Sequence, residues 1–256
     1  MGWKVLSKME AQNPCDSSPP TSQSLPMNVL LWNCRGALNP RFQRVFLDLV
    51  NAHAPSLVFV TETRIGREKA KQITDLLPFD RAIHVDKIGY SGGLWLLWNS
   101  DIVEVTQLAK IEQEIHVMVK VRASNIIWLL SSIYASPRLE ERKLLWGNLA
   151  NVASLHQLPW LMLGDYNELL SSHDKLGGNP LNPRQVQLFK ECLDACGMVD
   201  LGFHGPKFTW VNKRDVGCFI RRDWIGVLLI LPGVICILRQ LSTIWLILIR
   251  IIVRFY

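Results

Sequence analysis

The sequence predicts an α+β domain of two packed sheets flanked by helices, and three observations carry that prediction. Short apolar runs of strand length outnumber segments of helical period, the two kinds alternate, and the second half of the chain repeats the alternation of the first. With 256 residues, 49% of them hydrophobic and 20% charged, the chain can bury one good core.

Residues 1–26 precede these elements. They hold Asn13-Pro14, Ser17-Ser18-Pro19-Pro20 and Thr21-Ser22-Gln23-Ser24 and no apolar core of a secretory signal, so they read as a disordered leader. The folded domain is expected over 27–217. Its first strand is Val29 to Trp32, and Phe42, Val45, Phe46, Leu49 and Val50 then recur at helical spacing behind Asn39-Pro40, a cap and a first-turn proline. Leu57 to Thr61 is the next strand. A polar helix from Arg67 to Leu77, a strand near Ala82 to Val85 and a Gly92-Gly93 turn lead into the strand Leu94 to Trp98. Strands follow at Ile102 to Leu108, Ile115 to Val121 and Ile126 to Ile133. A helix from Arg138 to Leu155 should bury Leu144, Leu145, Leu149 and Val152, before the strand Trp160 to Leu163. After a Gly177-Gly178-Asn179-Pro180 loop, a helix from Arg184 to Cys196 turns Phe189, Cys192, Leu193 and Cys196 inward, and Phe208 to Val211 is the last segment that reads as ordinary folded sequence.

The net charge of +6 and pI near 9.1 suit a polyanionic partner, with Arg35, Arg41, Arg44, Arg64, Arg67, Lys69 and Lys71 the densest basic stretch. Six cysteines form no CxxC and pair with no closely spaced histidines, so neither a zinc site nor a secreted disulfide framework is indicated. A reducing compartment follows, nuclear or cytoplasmic.

Chemistry concentrates where strands stop. The apolar run Leu158 to Leu163 ends in Gly164-Asp165-Tyr166-Asn167-Glu168, which presents a carboxylate and an amide two residues apart at the mouth of a sheet. Upstream, Trp32-Asn33-Cys34-Arg35-Gly36 and Thr61-Glu62-Thr63-Arg64 also end strands. Tyr134-Ala135-Ser136-Pro137 and Gly205-Pro206-Lys207-Phe208-Thr209-Trp210 complete five motifs in order. Together they resemble the endonuclease/exonuclease/phosphatase superfamily, and more narrowly the apurinic-endonuclease-like domain of plant LINE-type (non-LTR) retrotransposons. The likeness spans roughly Met27 to Gly217.

That resemblance implies a four-layer αββα sandwich, the DNase I-like fold, and cleavage of DNA phosphodiesters with Mg²⁺ or Mn²⁺. It makes Glu62 the metal-ligand carboxylate with Asn33 beside it orienting that shell, and Asp165 the residue that aligns or deprotonates the attacking water. Asn167 contacts the scissile phosphate, Tyr134 lies on the phosphate side, and Thr209 touches substrate. These residue types suit the task. A hard cation prefers carboxylate and water oxygens, an ionised Asp acts on water, and an amide donates to a phosphoryl oxygen without adding negative charge. DNA is the expected partner of a monomer that uses no small-molecule cofactor.

The family continues past Phe-Thr-Trp with Glu-Arg-Leu-Asp and closes with Ser-Asp-His, which supply its remaining catalytic Asp and His. This chain reads Phe219-Ile220-Arg221-Arg222-Asp223-Trp224-Ile225-Gly226 and then an apolar tail over 218–256. The genetic code accounts for the difference. The third base of the Trp224 codon joined to the first two of Ile225 must give aspartate, and Arg221 to Gly226 can encode Glu-Arg-Leu-Asp-Arg or Glu-Arg-Leu-Asp-Trp in that frame. Ile249 to Phe255 can likewise encode Ser-Asp-His-Arg-Pro-Val. A frameshift near Cys218 to Arg221 is inferred, and the fold is expected to lack its closing strands. Three readings stand: a retroelement endonuclease domain inactive in this copy, a nucleic-acid-binding remnant, or a protein anchored in a membrane by its tail. Against the anchor, Arg239-Gln240 interrupts the run after about 15 residues, short of the roughly 20 a spanning helix needs.

Overall fold

The structure, a computed structural model, describes residues 27–88, 91–200, 210–211, 221–222 and 225–230. The elements that carry the layers run in chain order as β1 (Asn28–Asn33), α1 (Phe42–His53), β2 (Pro55–Thr61), α2 (Arg67–Thr74), β3 (Arg81–Ile88), β4 (Ser91–Trp98), β5 (Val103–Ile111), β6 (Glu114–Val121), β7 (Ile127–Tyr134), α3 (Leu139–Leu155), β8 (Trp160–Asp165), β9 (Lys175–Leu176), α4 (Pro183–Cys196), β10 (Val199–Asp200), β11 (Trp210–Val211), β12 (Arg221–Arg222) and β13 (Ile225–Ile230).

Two sheets form. One has the order β1-β2-β4-β3 and the other β10-β13-β8-β7-β6-β5, while β11-β12-β9 makes a short third. Alternation along the strands sorts side chains between three apolar clusters. Leu31, Phe59, Leu96, Val117, Leu130 and Leu161 meet between the two large sheets. The opposite faces of β1, β2 and β4 pack Trp32, Val60 and Trp95 against Phe42 and Phe46 of α1. Those of β7 and β8 pack Ile133 and Met162 against Leu149 of α3 and Phe189 of α4. The layers are helix, sheet, sheet, helix, as the four-layer expectation has it.

Two parallel pairs decide where function is concentrated. In one sheet β1 lies parallel to β2, pairing Asn33 with Thr61; in the other β7 lies parallel to β8, pairing Tyr134 with Asp165. Parallel neighbours end together, so each pair delivers its terminal residues to the same edge. Gly164 permits the second pairing, because a Cβ there would fall 1.9 Å from the Ile133 carbonyl oxygen.

Several local expectations are corrected. Gly92 and Gly93 are not a turn but lie at the start of β4, with Gly92 opposite Lys87 and the preceding Ser91 opposite Ile88 in the ladder. Their positive φ, 83° for both, suits a strand that must lie close under another loop. Leu144 is 69% exposed. The buried stripe of α3 is Arg142, Leu145, Trp146, Leu149 and Val152, which leaves position 144 on the solvent side. The fold is not without every closing strand: β13, from the apolar tail, pairs antiparallel with β8 from Ile225 opposite Asp165 to Ile230 opposite Trp160. Ladder hydrogen bonds come from the backbone, and Ile-Gly-Val-Leu-Leu-Ile is rich in strand-forming residues. That segment is a strand. The leader, Thr209 and the rest of the tail lie outside the described residues, among which no helix is long and apolar enough to cross a membrane.

Candidate active site

The ends of β1, β2, β7 and β8 bring Asn33, Glu62, Tyr134, Asp165 and Asn167 together. Glu62 is the hub. Its Oε1 accepts from Asn33 Nδ2 at 2.8 Å, and its Oε2 accepts from Arg64 Nη2 at 2.5 Å. The Tyr134 phenol reaches across from the other sheet to the same carboxylate; burial and the charges of Glu62 and Asp165 push its ionisation well above the ordinary phenol range.

Backbone contacts fix the Glu62 loop before any side chain does. Thr63 N donates to Gly93 O at 3.2 Å and Arg64 N to Gly92 O at 3.0 Å. A Cβ at Gly93 would stand 2.3 Å from Thr63 Oγ1. The glycines therefore let the loop rest on β4. Arg35, Glu62, Arg64 and Asn167 all adopt positive φ, between 47° and 59°, a region that side chains other than glycine's enter at a cost of about 1 kcal/mol or more each. Only Ala54 and Asn125 share it elsewhere among the described non-glycine residues.

Asp165 is buried, 6% exposed, and its Oδ1 accepts from the Asn167 backbone N–H at 3.0 Å. Burial raises its ionisation to about 7, the Asn167 hydrogen bond opposes that rise, the Glu62 charge adds to it and the Arg35 charge reduces it. An aspartate poised there accepts a proton from water near neutrality. Asn167 Nδ2 donates to Ala135 O at 2.7 Å, tying the Gly-Asp-Tyr-Asn loop to the Tyr-Ala-Ser-Pro loop. Between Asn33 and Arg35, burial pushes the Cys34 thiol up to about 12, and its Sγ donates to Glu62 O at 3.6 Å, so it is an inert packing group.

The raised Asp165 makes stability depend on pH with a definite sign. Below the ordinary carboxylate range both the folded and unfolded forms are protonated. As pH rises, the unfolded chain releases a proton that the folded chain retains, so stability declines through the window up to about 7 and levels off above it. Asp165→Asn should flatten that decline in thermal melts recorded from about pH 4 to 8. An unchanged slope in the variant would assign the effect to another group.

Sequence reasoning missed a second shell of contacts. Arg142, on the buried stripe of α3, donates from Nη2 to Glu168 Oε2 and from Nη1 to Ser136 O, each at 2.9 Å. One buried guanidinium thereby clamps the two loops that carry Tyr134 and Asn167. Gln113 Oε1 accepts from Ser136 N at 2.6 Å, and Ser136 Oγ donates to Glu141 Oε2 at 2.5 Å. The available signal was a charged residue at an apolar position of the helical period. Arg35 and Arg64 stand in the strand-ending motifs, but the sequence assigns them no contact at the site.

A family profile described as the Endonuclease/Exonuclease/phosphatase family matches residues 30–225. No curated protein matches this chain by sequence. Among solved structures, the AP endonuclease LMAP from Leishmania major superposes with a TM-score of 0.59 at 14% identity, over 78% of this chain and 77% of that one. The endonuclease domain of TRAS1, a telomere-specific non-LTR retrotransposon, superposes at 0.51 and 12% identity, over 78% and 83%. D. rerio TDP2, complexed with single-strand DNA product, gives 0.52 at 14% identity, over 78% and 82%. At these identities the likeness establishes a shared DNase I-like fold.

Proposed function

Because the chain belongs to the endonuclease/exonuclease/phosphatase family, we propose that its site is that of a divalent-metal-dependent DNA endonuclease, descended from a plant LINE-type retrotransposon, and that this copy binds DNA without cleaving it. The convergence of Glu62, Tyr134 and Asp165 at the ends of two parallel strand pairs carries the reading. It brings a hydrogen-bonded carboxylate, a phenol and a proton-accepting aspartate to one point.

The donor set fits a hard cation. It offers the Glu62 carboxylate beside the Asn33 amide, and Mg²⁺ or Mn²⁺ asks for one or two carboxylates while keeping several waters. Glu62 and Asn33 would hold it. When bound, such an ion offsets the charge that develops on a phosphate under attack. The chain's own residues supply the rest. Asn33 orients the Glu62 carboxylate, Asp165 takes a proton from water, Asn167 stays anchored to Ala135 while its loop faces the phosphate, and Tyr134 bounds the phosphate side. Thr209, which lies outside the described residues, is assigned a substrate contact by the family resemblance alone.

The missing elements support inactivity. The aspartate of the alternative frame is encoded across Trp224 and Ile225, and Ile225 is the ladder partner of Asp165. In that frame an aspartate is encoded at the ladder position opposite Asp165, where this chain has Ile225. We place the protein in the nucleus or cytoplasm, as a monomer, with Ile225–Ile230 of the tail serving as a strand.

Binding tests this reading. A fluorescent DNA duplex should bind the full chain with affinity that falls steeply as salt rises, and Arg35→Glu should weaken it about tenfold or more across unrelated sequences. Salt-independent binding, or none, would remove DNA as the partner.

A further inference from the structure

Resting on that reading of the site, we infer that the Arg64 guanidinium holds the position on Glu62 that a divalent cation would take, so that Arg64 and the cation compete and Arg64 sets the affinity of the site. Both Glu62 oxygens are engaged: Oε1 with the Asn33 amide, which is neutral, and Oε2 with Arg64, which brings a full positive charge to 2.5 Å. A cation approaching Glu62 meets a carboxylate already neutralised and a guanidinium that repels it.

The backbone makes this pairing more than a chance surface contact. Arg64 has φ 59° and its N–H is held by Gly92 O, while Glu62, two residues earlier, has φ 53°. These two left-handed residues turn the loop so that the Arg64 side chain folds back onto Glu62. The guanidinium can nevertheless leave. The Arg64 side chain is 46% exposed where that of Glu62 is 15%, and its stem rotates freely about several bonds. Once displaced, it lies within reach of whatever anion accompanies the cation, and a guanidinium binds a phosphate through paired hydrogen bonds. Arg64 would then pass from the carboxylate to the DNA backbone as the cation enters.

The test is a titration of the full chain with Mn²⁺, reading free ion by electron paramagnetic resonance, in wild type, Arg64→Gln, Arg64→Lys and Glu62→Gln. Arg64→Gln should bind about five- to tenfold more tightly than wild type, Arg64→Lys, which keeps the charge, should stay within about twofold, and Glu62→Gln should lose the site. If Glu62→Gln abolishes binding but Arg64→Gln leaves affinity unchanged or lowers it, the competition is refuted while the site stands. If Glu62→Gln binds as wild type does, or no variant binds, the site reading itself fails. Binding by Arg64→Gln alone would be the competition in its strongest form.

Discussion

Arg142→Met is expected to destabilise the protein by about 3 to 5 kcal/mol, a large part of the roughly 5 to 15 kcal/mol that holds a domain folded. The Arg142 and Glu168 side chains are 4% and 8% exposed, so their ion pair is buried. Removing the guanidinium leaves Glu168 buried without its cation and Ser136 O without a donor. Urea denaturation followed by tryptophan fluorescence measures the loss. The double variant Arg142→Met, Glu168→Met should recover most of it, since a buried pair replaced by apolar side chains of similar size is often neutral. If the single change costs less than about 1 kcal/mol, the clamp is not holding the two loops.

The purified chain is expected to leave supercoiled plasmid intact in Mg²⁺. A chain carrying Glu-Arg-Leu-Asp-Arg and Ser-Asp-His from the alternative frame is expected to nick it. Members of a catalytic site act as a unit, so losing an aspartate and a histidine together costs on the order of a thousandfold or more. Asp165→Ala in the restored chain should abolish nicking again, because it removes the proton acceptor next to the Glu62 carboxylate. Robust Mg²⁺-dependent nicking by the chain as given would overturn the claim of inactivity.

The sheets and the convergence were legible because both are written in local pattern. Apolar runs of strand length stop at polar residues, and a residue that stops a buried strand must emerge at a sheet edge. Asn33, Glu62, Tyr134 and Asp165 obey that rule. What was not legible depends on partners distant in sequence. Gly92-Gly93 carries the signal of a turn, and only the loop from Thr63 to Arg64 lying on it shows why glycine is needed within a strand. Arg142 looks like an error in an apolar stripe until Glu168 is placed opposite, 26 residues on. Leu144 is apolar and exposed because that same stripe is rotated to bury Arg142. Ile225 to Ile230 reads as tail because its composition is uniform, yet a ladder position beside β8 asks little of side-chain identity.

The left-handed backbone at Arg35, Glu62, Arg64 and Asn167 has a consequence for how this lineage ages. Each of these conformations is a standing cost, and only the work done at the site offsets it in natural selection. In a copy released from that work, glycine or asparagine at positions 35, 62 and 64 relieves strain with nothing lost. Drift should therefore erase these side chains faster than it erases the core.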